Sequence, residues 1–262
     1  MGYYDYYDKT VVDYKQTCLE LSKSNFDNFK QNKKYRIMLE GGPKIQGEYY
    51  LNQINNHNKK NIFYNNLDKF FVNDKIGNPD IHNFGNGIEC SITSLKYTFN
   101  ILNILELLDG ETVKNIVEVG PGYGGLSIIF DSLYDFDTVN FIDLKEANSF
   151  NKKYIKKFKN FEKKCKFNTS ESYKEIDWNE VDLVIAVNSF TECDTHIQLE
   201  YYKKLISKSK FSYVVRNYSD EKTRRDHQLC KEILDDNFLI DDSEVVERSR
   251  DNIIVYIKKK VN

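Results

Sequence analysis

The chain has 262 residues, 40% apolar and 30% charged, with a formal net charge of −2. That length accommodates one large α/β domain or a core plus a cap, and the near-neutral balance excludes an overall basic field that would draw the chain to nucleic acid. No apolar run approaches the roughly 18–20 residues that cross a bilayer, so no membrane span is expected.

The first residues, Met-Gly-Tyr-Tyr-Asp-Tyr-Tyr-Asp, lack the basic start and apolar core of a signal peptide. Cys18, Cys90, Cys165, Cys193 and Cys230 are scattered and form no C-x-x-C. Such spacing reads as free thiols in a reducing cytoplasm. The four histidines are isolated, so no metal site is expected. Whether the chain self-associates as a homo-oligomer is left open.

In chain order, Val12, Cys18, Leu19, Leu21, Phe26 and Phe29 mark one or two amphipathic helices. Gly41-Gly42-Pro43 and Gly77-Asn78-Pro79 are clear breaks. The segment between them reads as short helices in loops, and residues 1–90 together as a helical cap on a core formed by 91–262. His82 stands in the Gly/Asn loop before that core and is a candidate acceptor-binding residue. Ile92, Leu95, Phe99, Leu102, Leu105 and Leu108 keep one apolar stripe, which predicts a helix over 91–109 with Ser91 as N-cap and Gly110 as its stop.

The next stretch, 115–125, is Asn-Ile-Val-Glu-Val-Gly-Pro-Gly-Tyr-Gly-Gly. Ile116, Val117 and Val119 form a short β-branched run, as in a buried parallel strand. Glycines follow, and then Leu126, Ile128, Ile129, Phe130 and Leu133 recur at helical spacing. The unit is strand, glycine-rich turn, helix. Its backbone admits close approach of a ligand, and the helix start offers amides to a polar or anionic group. Gly120, Gly122 and Gly125 satisfy G-x-G-x-x-G, the dinucleotide fingerprint. Glu118, Gly120, Gly122 and Gly124 equally satisfy E-x-G-x-G-x-G.

A second strand, 138–142, ends at Asp143. An acidic residue about 20 positions past a glycine loop can accept both hydroxyls of a ribose; otherwise Asp143 caps the helix expected over 145–161. A third strand over 165–168 leads into Thr169, Ser170 and Glu171. The fourth, Asp182 to Val187, is a continuous apolar run that ends in Asn188-Ser189-Phe190-Thr191-Glu192. Ligands in open α/β sheets lie at the carboxyl ends of strands, which puts these polar residues beside the site. A helix from Asp194 or Thr195 to Ser207 follows. A fifth strand over 211–215 ends in Arg216-Asn217, and a helix opening with Lys222, Arg224 and Arg225 runs to about Asp236. Val245-Val246 and 253–257, separated by Ser249-Arg250-Asp251, form a closing hairpin, which an NAD-binding fold lacks.

The E-x-G-x-G-x-G stretch resembles motif I of the class I S-adenosylmethionine (SAM) methyltransferases. Ile76-Gly77-Asn78-Pro79, Ser91 to Tyr97, Ile116 to Leu126, Asn188 to Glu192 and Tyr213 to Asn217 resemble a sugar O-methyltransferase subgroup linked to surface-polysaccharide genes. The resemblance spans about residues 75–258 and departs at Pro121, where the subgroup often carries glycine. It implies a Rossmann-like sheet, mostly parallel with a closing antiparallel hairpin, and SAM as cofactor. It also implies a small-molecule or glycan-precursor acceptor. Glu118, Gly120, Pro121, Gly122, Tyr123 and Gly124 would meet the methionine end of the cofactor. Asp143 and Leu144 would meet its ribose, Ser170 and Glu171 its adenine, and Asn188 and Ser189 would line the site.

Glu192 and His196 are candidate general bases; Arg216 and Asn217, with His82, are candidates for the acceptor. Three alternatives to sugar O-methylation stand: a different small acceptor such as a phosphate-type oxygen or a nitrogen, a non-catalytic SAM-binding subunit, and, weakest, an NAD oxidoreductase.

Overall fold

The computed structural model describes residues 14–38, 40, 42–234, 236–246 and 252–260. It divides into two compact units. One comprises residues 1–110, 122–134 and 144–163, the other 111–121, 135–143 and 164–262. The border falls inside the glycine-rich loop.

The first unit is helical. Along the chain come α1 over 14–23, α2 (Lys33–Met38), α3 (Lys44–Asn56), α4 (Lys60–Tyr64) and α5 (Leu67–Phe70). A two-residue ribbon of β1 (His82–Asn83) and β2 (Glu89–Cys90) precedes α6 (Ile92–Leu108). Residues 122–134 contribute α7 (Gly125–Leu133), and 144–163 contribute α8 (Lys145–Ile155) and α9 (Lys159–Glu162). Ser91 caps α6 as expected: its Oγ accepts from Ser94 N at 3.1 Å, an arrangement that contributes about 1 kcal/mol. At the other end Asp109, in the left-handed region at φ 42°, closes the helix one residue before Gly110. The single helix expected over 145–161 is interrupted at 156–158, where Phe158 turns its ring to 5.7 Å from Tyr154.

Many of the aromatic residues have a structural use here. Phe29 meets Tyr123, Phe150 and Tyr154 edge-on at 5.7, 5.3 and 5.7 Å, and Tyr35 meets Phe150 at 5.3 Å. Each such pair adds about 0.5–1.5 kcal/mol beyond area burial. The N-terminal segment is thereby fastened to α8 and to Tyr123 of the glycine-rich loop.

The second unit is built on a seven-stranded sheet: β3 (Asn115–Val119), β4 (Thr138–Asp143), β5 (Cys165–Thr169), β6 (Leu183–Val187), β7 (Phe211–Asn217), β8 (Phe238–Val246) and β9 (Asn252–Lys259). The order is β5-β4-β3-β6-β7-β9-β8. Neighbours are parallel from β5 through β7, whereas β9 runs antiparallel to both β7 and β8. This is the Rossmann-like, mostly parallel sheet with a closing antiparallel hairpin. The strand order reverses between β3 and β6, the place where open α/β sheets receive ligands. Val117, Val184, Ala186 and Val214 share a buried cluster with Tyr201 and Tyr202 of α10 (Thr195–Lys204). Cys230 of α11 (Glu221–Lys231) joins them.

Asp182 stands just before β6 rather than in it. Its Oδ2 accepts from Lys114 N and Asn115 N at 2.8 and 2.9 Å, and its Oδ1 pairs with Lys210 at 2.6 Å, which clamps the starts of β3 and β6 together. Strand β7 runs two residues past the expected Val215, and β8 starts at Phe238 rather than Val245. Helix α10 ends at Lys204 and α11 at Lys231, each short of its expected end. The expected turn at Ser249-Arg250-Asp251, Val12, and Gly41 of the first glycine break lie outside the described residues.

Candidate functional site

At the carboxyl end of β3 the backbone leaves the sheet at Gly120. Gly120 N donates to Ile142 O at 2.9 Å, which ties the turn to β4. The residue adopts φ +67°, and a Cβ placed on it would stand 2.4 Å from Ser189 Cβ. Both the conformation and the space therefore demand glycine. Ser189 Oγ in turn donates to Val119 O at 2.7 Å. The second residue after the end of β6 thus buttresses the last carbonyl of β3, and its hydroxyl is committed there.

The strand end of β6 carries a strained residue. Asn188 adopts φ +58°, where a side chain other than glycine is uncommon. Its N–H donates to Val215 O at 3.0 Å, while its buried Oδ1 has no hydrogen-bond partner. Left-handed backbone and a buried acceptor without a partner thus coincide at the end of β6. At the end of β4, half-buried Asp143 sends its carbonyl to Ser170 N at 3.1 Å, which brings the ends of β4 and β5 together. Glu171 is exposed beside it and Leu144 half-buried. Glu118 is buried within β3.

In the helical unit, Gly122 O accepts from Asn151 Nδ2 at 3.3 Å and Gly125 O from Asn73 Nδ2 at 2.9 Å. Gly124, at φ +84°, is the N-cap of α7, and a Cβ there would press on Ile155 and Asn151 at 3.2–3.3 Å. Tyr154 Oη donates to Asn73 Oδ1 at 3.0 Å. Lys30 donates to Asn73 O at 2.8 Å and lies 4.8 Å over the Tyr123 ring. Asn73, Asn151 and Lys30 hold the loop's shape, and nothing in their local sequence announces it. They are lone polar residues far along the chain from the glycines.

The remaining expected residues are placed as follows. Glu192 ends a 3-10 turn over Phe190–Glu192 and is exposed, as is His196 in the first turn of α10. His82 is half-buried in β1, and Asn217 ends β7 half-buried. Arg216 is fully buried. Strand side chains alternate, so Arg216 shares the face of Val214 and points into the α10/α11 side. There it donates to Gln198 Oε1 at 2.6 Å and to Tyr202 Oη at 3.5 Å. Gln198 passes the contact on to Cys193 O at 2.9 Å and to buried Asp226, which Lys222 also pairs at 2.9 Å. The basic residues of this stretch are thus partly drawn into a core network. Among the described residues no group of three His, Cys, Asp or Glu is arranged to hold a metal ion, and no helix is long and apolar enough to cross a membrane.

No protein-family model matches the sequence, and no curated protein does. Solved structures do match. The small RNA methyltransferase HEN1 aligns over 71% of this chain and 28% of its own, with TM-score 0.51 and 13% identity. A protein from Streptococcus mutans described as a methyltransferase, solved in complex with SAH, aligns over 61% of this chain and 97% of its own, with TM-score 0.50 and 12% identity. A protein from Nostoc punctiforme described as an O-methyltransferase aligns with TM-score 0.49 and 10% identity over 64% of this chain, which spans 58% of that one. At these identities the likeness is one of fold, and the fold is that of the class I methyltransferases.

Proposed function

We propose that this chain is a cytoplasmic SAM-dependent O-methyltransferase that acts on a hydroxyl of a sugar or surface-polysaccharide precursor. The observation that carries the cofactor reading is the switch point of the sheet. Gly120 is forced by Ser189, and beside it Asn188 stands strained with an unpartnered oxygen. Asp143 at the end of the next strand fits a ribose, since a carboxylate can accept two neighbouring hydroxyls. The donor set therefore suits SAM.

SAM, when bound, supplies an activated methyl group on its sulfonium. The chain's own part is binding and orientation. Gly120, Pro121, Gly122, Tyr123 and Gly124 give a loop that a ligand can approach closely, with Glu118 behind it. Asp143 and Leu144 take the ribose, Ser170 and Glu171 the adenine, and Asn188 and Ser189 the wall opposite. Glu192 and His196 are placed by sequence after the same strand, where a proton leaving an acceptor hydroxyl can be received. Residues 1–90 serve as the acceptor-side cap. Alignment of the acceptor oxygen with the methyl group supplies most of the rate.

A nucleic-acid acceptor is the second reading, raised by the fold shared with HEN1 and opposed by the net charge of −2. The test is incubation with SAM and separate pools of free sugars, nucleotide-linked sugars, sugar phosphates and short RNA. It reads S-adenosylhomocysteine release and one added methyl in the product mass. Release with a sugar pool, abolished in Asp143→Ala, is the expected result. Release with RNA alone overturns the sugar reading. Binding of SAM without release in any pool favours a non-sugar acceptor or a non-catalytic subunit.

A further inference from the structure

A groove of about 390 Å³ opens on the helical unit, and every residue that lines it belongs to that unit. Small-molecule sites span about 300–1,000 Å³, so the groove has room for a ligand and not only for water. Three parts of the chain line it: α5 with the 3-10 turn Val72–Lys75, the second half of α7, and Phe158 with α9. Asp131 of α7 lies on it. That residue is about 9 Å along the helix from Gly125, at 1.5 Å per residue. The groove therefore lies toward the end of α7 away from the glycine-rich loop.

Its chemistry combines three features. Ile128 and Phe161 are buried and Val72 and Phe158 half-buried, which gives an apolar surface with part of one aromatic ring still accessible. Lys69, Lys75 and Lys159 reach it from two sides of the sequence, and their ammonium groups make no hydrogen bond or ion pair among the described residues. Other lysines of this chain are paired, as Lys174 is with Glu200 and Lys231 with Asp242, each at 2.6 Å. Asp68 and Asp131 stand among the three lysines.

Each feature narrows the occupant. Lysines gather phosphate oxygens as point charges. A monophosphate carries about two charges at neutral pH, fewer than the three ammonium groups offer. The two carboxylates repel an extended polyanion, yet they can accept from sugar hydroxyls or base amines. The apolar surface takes a ring face, and aromatic side chains stack on every base. A neutral sugar would leave the ammonium groups unused, and inorganic phosphate would leave the apolar surface bare. We infer that this groove binds a nucleoside diphosphate, with the base against Phe158 and the diphosphate among Lys69, Lys75 and Lys159. A free nucleotide and a nucleotide-linked sugar both carry that group. The inference goes beyond methyl transfer and does not rest on it.

The test is calorimetric titration of the full chain with UDP, GDP and UDP-glucose, and in parallel with uridine, guanosine and pyrophosphate. At least one diphosphate should bind saturably, at least tenfold tighter than its nucleoside and than pyrophosphate. Comparison of UDP with UDP-glucose tells the free nucleotide from the sugar-linked one. Lys75→Glu and Lys159→Glu, at exposed positions, should each weaken binding about tenfold. Phe158→Ala should weaken it several-fold, with the midpoint of thermal unfolding recorded. Lys163→Glu, exposed but off the groove, should leave binding unchanged. Four results overturn the inference: no nucleotide binding, equal binding of pyrophosphate, equal loss in Lys163→Glu, or tighter binding of a uridine oligonucleotide than of UDP. Displacement of the nucleotide by S-adenosylhomocysteine overturns it too, since the nucleotide would then sit in the cofactor site. Nucleotide binding without S-adenosylhomocysteine binding sinks methyl transfer and keeps the groove, and the reverse sinks the groove alone.

Discussion

The ends of β6 and β7 lie side by side in the sheet, and both read as polar strand ends in the sequence. They turn out as opposites. After β6, Asn188 is strained and carries an orphan acceptor. At β7 the strand continues, and Arg216 is sealed in the core with Gln198 and Tyr202 as partners. One end keeps a hydrogen-bonding capacity open at the switch point; the other has closed all but its Nε inside the protein. A polar residue after an apolar run therefore reaches the strand end only when the strand stops before it.

The contrast can be broken most forcefully at Arg216. Arg216→Ala removes the buried cation that Gln198 links to Asp226, and the unfolding free energy should fall by about 3 kcal/mol or more in urea titration. An unchanged midpoint would place the guanidinium outside the core. Gly120→Ala is next. With φ +67° and Ser189 Cβ 2.4 Å from the new methyl, we expect a loss of about 1–3 kcal/mol. S-adenosylhomocysteine affinity should fall at least tenfold, since β3 and β6 must part to admit the methyl.

Asp182→Asn should cost about 1–2 kcal/mol at neutral pH, because amide–carboxylate bonds are charge-assisted. Burial raises the Asp182 carboxyl, but Lys210 and the Asn115 and Lys114 amides outweigh it and hold the group below the usual carboxylate range. Its contribution is thus present above the unfolded value of about 3.9 and is lost as pH falls through the lower folded value. Wild type and variant should converge in stability on acidification, and a gap that stays constant with pH would contradict the ionic clamp. The smallest effect sharpens the comparison best. Asn188→Gly relieves the left-handed strain and should raise stability by about 0.5 kcal/mol, while lowering S-adenosylhomocysteine affinity several-fold. A loss of both would make Asn188 a structural residue.

The parts of the fold that show in the sequence are those fixed by neighbours along the chain. The β-branched run 116–119, its glycines and the apolar stripe after them specify strand, turn and helix within about twenty residues, and the closing hairpin shows in the apolar runs 245–246 and 253–257, although its first strand begins earlier, at Phe238. The Ser91 cap is legible for the same reason. What does not show is fixed by partners far apart. Glu40 gains its meaning from Lys30 and Thr93, and the loop's carbonyls are held by Asn73 and Asn151. Arg216 is hidden by how far β7 extends, since two more residues of strand turn a candidate ligand into a core side chain. The break in the helix over 145–161 has no glycine or proline to announce it.

The central claim is that the switch point between β3 and β6 binds SAM. The most direct measurement is calorimetric titration of S-adenosylhomocysteine and of NAD into the wild-type chain and into Asp143→Ala. Saturable S-adenosylhomocysteine binding, lost or weakened at least tenfold in Asp143→Ala with no binding of NAD, is the predicted result. Absence of S-adenosylhomocysteine binding, or binding that Asp143→Ala leaves intact, contradicts the account.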